Sequence, residues 1–255
     1  MKKWLIFSGI LLLSLPLLAE VKASVPILLY HRFGPVVADR MTVTSTVFES
    51  HLQYLHDHSY TVIPLRDLVN GYLRRSLTPA PQLVAICADD GHRSVYTDLF
   101  PLVKKHRIHV TLFLYPSAIS NASYAMTWDQ LRELKETGLF DFQSHSYWHP
   151  NFKKDRERLK AEEYERFVED QLKKSKEILE KELQARVDML AWPFGIYDDH
   201  LIKKAVEAGY AAGFTIQRHP TGPSDSIMAL PRFLMTSSDT GKAFERIIGS
   251  NSRGK

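Results

Sequence analysis

An α/β fold of parallel strands and crossover helices is what the sequence predicts, on three observations. Short apolar runs alternate with helical patterns along nearly the whole chain, and such alternation implies parallel strands with helices packed against them. Residues able to do chemistry, Asp89 with Asp90 and His145 with His149, directly follow apolar runs; in parallel barrels the strand ends converge on one face. Finally, 255 residues with 44% hydrophobic and 24% charged side chains allow one large core or two small ones, and a single barrel is the economical choice. A doubly wound sheet fits the alternation equally well.

The elements follow in order. Residues 25–30, five apolar residues with one Pro, read as a short buried strand from whose end His31 emerges. A helix is expected near 47–56, introduced by caps at Thr44 and Ser45. A strand at 61–63 precedes a short helix at 65–72, and the apolar run 83–88 leads through the acidic pair into a helix near 95–106. Then come a strand at 110–114, a helix at 128–136 and a strand at 140–144 that delivers the His pair. The longest helical pattern, 160–183, places Tyr164, Phe167, Val168, Leu172, Ile178, Leu179 and Leu183 near helical spacing, with Lys and Glu between them as a solvated outer face. A strand at 189–192, a helix at 201–208, a strand at 211–216 and a helical turn or two at 244–248 complete the pattern. The stretch 218–226, with Pro220, Gly222 and Pro223, reads as a loop, and no internal repeat is visible.

Lys2 and Lys3 precede an apolar stretch over 4–19, and Val21-Lys22-Ala23 offers a small-residue cleavage pattern. Residues 1–23 therefore predict a secretory signal peptide and 24–255 the functional domain, exported to a periplasmic or extracellular location. The apolar run is short for a membrane span and contains Pro16, so no stable span is expected after cleavage. Removal of three lysines and one glutamate with that segment lowers the formal charge from +4 to +2, too weak a balance to argue for nucleic acid. The single cysteine, Cys87, lies in a predicted core strand and reads as a small buried hydrophobe; nothing in the sequence marks an activating base for it.

Chemistry is concentrated in Asp89-Asp90-Gly91 and His145-Ser-Tyr-Trp-His149. A catalytic divalent ion takes three protein ligands from His and Asp/Glu and keeps a further position open. It lowers the pKa of its water from about 15.7 to near 7. One Asp with two His satisfies that need, and the second Asp is then a general base. Gly91 permits the turn that brings adjacent carboxylates into one pocket. Asp-Asp-Gly alone is an ordinary turn, and His at i,i+4 recurs on helix surfaces by chance. Their shared position after apolar runs sets them apart.

At these residues the chain resembles the polysaccharide deacetylases of carbohydrate esterase family four, which carry the NodB homology domain. Their first motif is usually Thr-Phe-Asp-Asp-Gly and their second His-Ser/Thr-x-x-His. Here they read Cys87-Ala88-Asp89-Asp90-Gly91 and His145-Ser146-Tyr147-Trp148-His149. The resemblance covers nearly all of 24–255 and implies an irregular (β/α)7 barrel in a single domain. It implies Asp89 as base and Asp90, His145 and His149 as ligands of a divalent metal, zinc first, with cobalt, nickel or iron also accepted by such a set. Ala191-Trp192-Pro193-Phe194-Gly195 stands where the family commonly has Arg-x-Pro-Tyr/Phe-Gly. Its Ala-Trp-Pro form resembles the branch that deacetylates poly-β-1,6-N-acetylglucosamine in biofilm matrices, with the Phe194 amide as oxyanion donor.

Within that branch, Tyr30-His31 resembles a general-acid motif moved to the chain's start by circular permutation, and a near-neutral reference pKa suits His31 to protonate the leaving amine. Arg232, in a Leu-Pro-Arg element over 228–234, is a candidate to replace the missing motif Arg by pairing with Asp89; a surface ion pair is the ordinary alternative. Tyr147, Trp148, Trp192 and Pro193 are candidates to line the sugar site, since aromatic faces offer rigid apolar area, with core packing as their other use. The expected activity is N-deacetylation of an N-acetylglucosamine polysaccharide, with protein partners left open. The competitors are an O-acetyl esterase, a glycosidase and a non-catalytic sugar-binding barrel. Adjacent acids beside a His pair fit metal hydrolysis better than the spaced carboxylates of a glycosidase.

Overall fold

The computed structural model describes residues 24–73 and 82–249; the expected signal peptide over 1–23 lies outside them. Strand β1 (Ile27–Tyr30) is followed by a small separate pair, β2 (Arg32–Gly34) with β3 (Thr42–Thr44), and by helix α1 (Ser45–Asp57). Next come β4 (Thr61–Val62), α2 (Leu65–Leu73), β5 (Leu83–Asp89), a π-helical turn (Val95–Leu99), α3 (Phe100–His106), β6 (Val110–Leu114), α4 (Trp128–Glu136) and β7 (Phe140–Ser144). The second half holds α5 (Phe152–Arg158), α6 (Ala161–Leu183), β8 (Met189–Ala191), a 3-10 turn (Pro193–Gly195), α7 (Asp199–Glu207), β9 (Ala212–Phe214), β10 (Phe233–Leu234) and α8 (Lys242–Ile248).

Seven strands run in the order β10-β1-β5-β6-β7-β8-β9, every pairing parallel, with β4 attached to β5. The free side of β9 is met by residues 227–230: Gly213 N–H donates to Ile227 O at 2.9 Å and Leu230 N–H to Gly213 O at 2.8 Å. The same segment runs on into β10 beside β1, so the sheet curls round on itself. This is the irregular seven-stranded α/β barrel expected of a single domain.

The period of two along each strand sorts side chains between two cores. Ile27 and Leu29, Ala85 and Cys87, Phe113, Met189 and Ala191, and Ala212 and Phe214 point inward and pack together. Leu28 and Tyr30, Val84 and Ile86, Leu112 and Leu114, and Leu190 point outward under the helices. Helix α2 closes the N-terminal end of the barrel with Leu65, Leu68 and Val69. Its Arg66 meets Asp188 at 2.8 Å and Asp141 at 3.2 Å there.

The helices start where side chains satisfy their first amides. Thr44 accepts from Val47 N–H, and Thr127 and Gln130 make a reciprocal capping box. The helical pattern expected over 160–183 is preceded by a separate short helix, α5, capped by Asn151. Sequence periodicity missed it because only Phe152 of its seven residues is buried. The short pair β2 and β3 was missed for a similar reason: three residues each are too few to show an alternation.

Candidate active site

At the barrel's mouth the inward alternation continues into the candidate catalytic and metal-binding residues. His31 stands two residues beyond Leu29, Asp89 two beyond Cys87, and His145 two beyond the buried Gln143. Strand pairing registers Tyr30 with Ala88 and Leu114 with Ser144, so these residues leave neighbouring strands at one end of the sheet. Beyond that end the chain turns sharply. Asp90, Ser146, His149 and Phe194 all have positive φ (75°, 63°, 64° and 56°), the left-handed region that non-glycine residues rarely occupy. Gly91, at φ 72°, follows the acidic pair, and a Cβ on it would lie 2.9 Å from a Leu114 methyl, so only glycine fits there.

Asp89 is 2% exposed and Arg232 fully buried. The two Arg232 Nη atoms donate to the two Asp89 carboxylate oxygens, each at 2.8 Å. Phe233 is level with Leu28 on β1, which places Arg232 deeper in the barrel than the strand ends. From there its guanidinium passes Phe113 (5.2 Å) and Phe214 (5.9 Å), while Nε donates to Thr215 O at 3.0 Å. A surface ion pair, the ordinary expectation for Arg232, is therefore corrected: alternation with the inward Leu230 turns the side chain into the barrel. Burial pushes the Asp89 carboxyl up, but the Arg232 guanidinium, helped by His145 and His31, outweighs it and holds Asp89 below the usual carboxylate range.

Asp90, His145 and His149 bring one ligand atom each within 4.8 Å of one another. Asp90 Oδ1 lies 3.7 Å from His145 Nε2 and 3.9 Å from His149 Nε2. Bonds of about 2.0–2.2 Å in a tetrahedral zinc site separate donors by about 3.3–3.6 Å, so small adjustments complete the set. His145 Nδ1 is 2.8 Å from the Ala191 carbonyl, which only accepts; the proton sits on Nδ1 and the Nε2 lone pair faces Asp90. Burial lowers His145 to about 3 and also lowers His149, which keeps both rings neutral. Burial, then the Asp89 charge, raises Asp90 to about 7. Two neutral imidazoles and a crowded carboxylate form a donor set suited to a divalent cation.

His31 is 9% exposed, and its Nδ1 is buried without a hydrogen-bond partner. Burial lowers its pKa to about 4 against the pull of Asp89. The preceding Tyr30 points outward, its hydroxyl 3.0 Å from His51 Nδ1, and His51 Nε2 is 2.6 Å from the Asp239 carbonyl. Phe194 lies at the tip of the 3-10 turn, whose hydrogen bonds are donated by Gly195 and Ile196 to Trp192 and Pro193 carbonyls. Its ring, 55% exposed, packs edge-on against His149 at 4.5 Å.

Two expected sugar-lining residues are corrected. Trp192 is fully buried, its Nε1 donating to Met228 O at 2.8 Å, and Pro193 is buried beside it. Alternation explains Trp192: Ala191 faces the barrel interior, so the next side chain goes outward under the helices. Trp148 is 51% exposed over Phe167, and half-buried Tyr147 has Lys174 Nζ 4.3 Å from its ring centroid. Cys87 is buried as expected, and burial pushes its thiol up to about 12. Sequence reasoning missed Tyr115 and Ile216 at the mouth. Both stand two residues beyond an inward aromatic, Phe113 and Phe214, and that spacing was the available signal.

A family model described as polysaccharide deacetylase matches residues 76–213, more than half of the chain. The protein belongs to the polysaccharide deacetylase family. Among curated relatives, the poly-β-1,6-N-acetyl-D-glucosamine N-deacetylase of Staphylococcus epidermidis is 29% identical over 211 residues, 81% of this chain and 71% of that protein. In structure the chain is similar to the Streptococcus pyogenes deacetylase PplD (TM-score 0.78, 22% identity, 89% of this chain and 99% of that one). It is also similar to IcaB from Ammonifex degensii (TM-score 0.77, 22% identity, 90% and 97%).

Proposed function

We propose that this polysaccharide deacetylase is an exported, metal-dependent hydrolase that removes N-acetyl groups from N-acetylglucosamine units of a poly-β-1,6-linked or related polymer. The observation that carries it is the Asp89 carboxylate, fixed by Arg232, beside the Asp90, His145 and His149 donors. The name of the Staphylococcus epidermidis relative supports the amide substrate. The sequence of residues 1–23 supports export.

Asp90, His145 and His149 would hold the ion. A divalent cation bound there, zinc first among the candidates, supplies Lewis acidity and a water of lowered pKa. The protein's own groups do the rest. Asp89, kept ionised by Arg232, accepts the proton of the attacking water as general base. The Phe194 amide donates to the oxygen that gains charge, from a backbone turn set before substrate arrives. His31, with Nδ1 unpartnered and neutral at rest because burial lowers its pKa to about 4, would pass to the departing nitrogen the proton that Asp89 takes from water, which returns both groups to their starting states. Trp148 and Phe194 offer exposed ring faces to sugar.

The test is acetate release from defined β-1,6 and β-1,4 N-acetylglucosamine oligomers and from an O-acetylated oligomer, on metal-analysed protein with and without chelator. Release from the N-acetylated β-1,6 substrate, lost with chelator and restored by zinc, is expected. Asp89→Asn should retain metal and lose activity, whereas His145→Ala should lose both. Chelator-insensitive release, or equal metal loss in the two variants, overturns the assignment.

A further inference from the structure

We infer that Tyr124, braced by Tyr115 and His92, is a stacking platform for a pyranose ring of the polymer next to the sugar being deacetylated. Tyr115 directly follows β6 at the mouth, packs against the outer core, and its ring lies 5.6 Å from that of His149. Phe194 packs on the same imidazole at 4.5 Å, so His149 is flanked by two aromatic side chains. The Tyr115 hydroxyl is 3.0 Å from that of Tyr124, which extends this wall away from the donor set.

Tyr124 is 43% exposed although large and apolar, yet it is held at both ends. Its carbonyl accepts from Arg93 N–H at 2.7 Å, Met126 N–H donates to Gly91 O at 3.0 Å, and Ala125 bridges to His92. The loop between β6 and α4 is thus stitched directly onto the residues that follow Asp90. The His92 ring lies nearly parallel to Tyr124 (11°, centroids 6.4 Å apart), and its Nδ1 is fixed 2.8 Å from Ser94 Oγ. A ring immobilised before binding loses little entropy when a ligand covers it. It also suits the apolar face and polar edge of a sugar. Of the two phenol protons, at most one lies between the hydroxyls, and the other can reach a sugar oxygen.

The inference rests on the proposed substrate class. Its test is binding of a β-1,6-linked N-acetylglucosamine tetramer and of the monosaccharide to zinc-loaded Asp89→Asn protein, by calorimetry, with Tyr124→Ala or Tyr124→Phe added. Tyr124→Ala should weaken the tetramer about tenfold, or ~1.4 kcal/mol. Tyr124→Phe, which keeps the ring, should weaken it less than threefold, and the monosaccharide should lose far less than the tetramer. With Asp89 restored, Tyr124→Ala should raise KM for the tetramer about tenfold and change kcat less than twofold. Tetramer affinity within twofold of the parent in Tyr124→Ala overturns the platform, as does an equal loss for monosaccharide and tetramer. Tyr124-dependent binding without acetate release from the wild type overturns the hydrolase reading alone; release with an unchanged KM in Tyr124→Ala overturns the platform alone. No tetramer binding by the parent overturns both.

Discussion

Replacing Arg232 with methionine leaves the Asp89 carboxylate charged inside an apolar barrel. The structure fixes the scale: the carboxylate is 2% exposed, the guanidinium fully buried, and two 2.8 Å charge-assisted hydrogen bonds join them. Removing one partner of such a buried pair costs about 3–5 kcal/mol, because it leaves an uncompensated buried charge. At roughly 2–4 °C per kcal/mol for a domain near this size, the melting temperature should fall by about 10 °C. Asp89→Asn with Arg232→Met should recover much of that loss, since no buried charge then remains. Urea unfolding of the wild type, both single variants and the double variant gives the coupling energy directly. In parallel, burial then acts on the Asp89 carboxyl against His145 and His31 alone, so in Arg232→Met the acid limb of kcat/KM should move to higher pH and turnover at neutral pH fall sharply. Metal content should stay the same, because Arg232 touches none of the three donors. Stability changes that add within about 0.5 kcal/mol, or a pH profile that does not move, would refute the pair as the device that keeps Asp89 ionised.

Trp192→Phe should cost about 1 kcal/mol of stability through the lost hydrogen bond to Met228 and leave oligosaccharide affinity unchanged; a marked affinity loss would return Trp192 to the sugar site. Trp148→Ala, at an exposed ring, should do the reverse. His51 is buried and neutral between Tyr30 and Asp239, with its pKa lowered by burial below the reference of about 6.5. A His lowered on folding stabilises fully above the unfolded value, and that contribution is lost as pH falls from about 6.5 toward the folded value. The drop in unfolding free energy between pH 7.5 and 5.5 should accordingly shrink in His51→Gln, and an undiminished drop would contradict the role.

Most of the barrel was legible because its strands are apolar runs between clear helical patterns. All the long elements fall within a few residues of where periodicity puts them. What escaped was short, such as β2 and β3, or sparsely buried, such as α5 with Phe152 alone. Asp90, His145 and His149 could be proposed as a set from their motifs, and the fold brings them together. Arg232 could not be placed with the same force. Its partner lies 143 residues away in sequence, and only the register of β10 on β1 shows that it enters below the mouth and reaches upward. Trp192 was misassigned for want of one step: counting by twos from Met189 and Ala191 sends it outward. The same count applied past Phe113 would have found Tyr115.

Selection for heat resistance would meet a trap at this mouth. Asp90, Ser146, His149 and Phe194 hold their side chains on left-handed backbone, at about 1–3 kcal/mol apiece. Glycine at any of them would relax the chain, and a screen that scored only survival on heating would be drawn to those exchanges. Each winner would come out sturdier and short of a candidate donor, the ring that packs against one or the hydroxyl that supports one. Engineering for robustness should therefore begin at the opposite end, around α2, where no backbone is bent for the sake of chemistry.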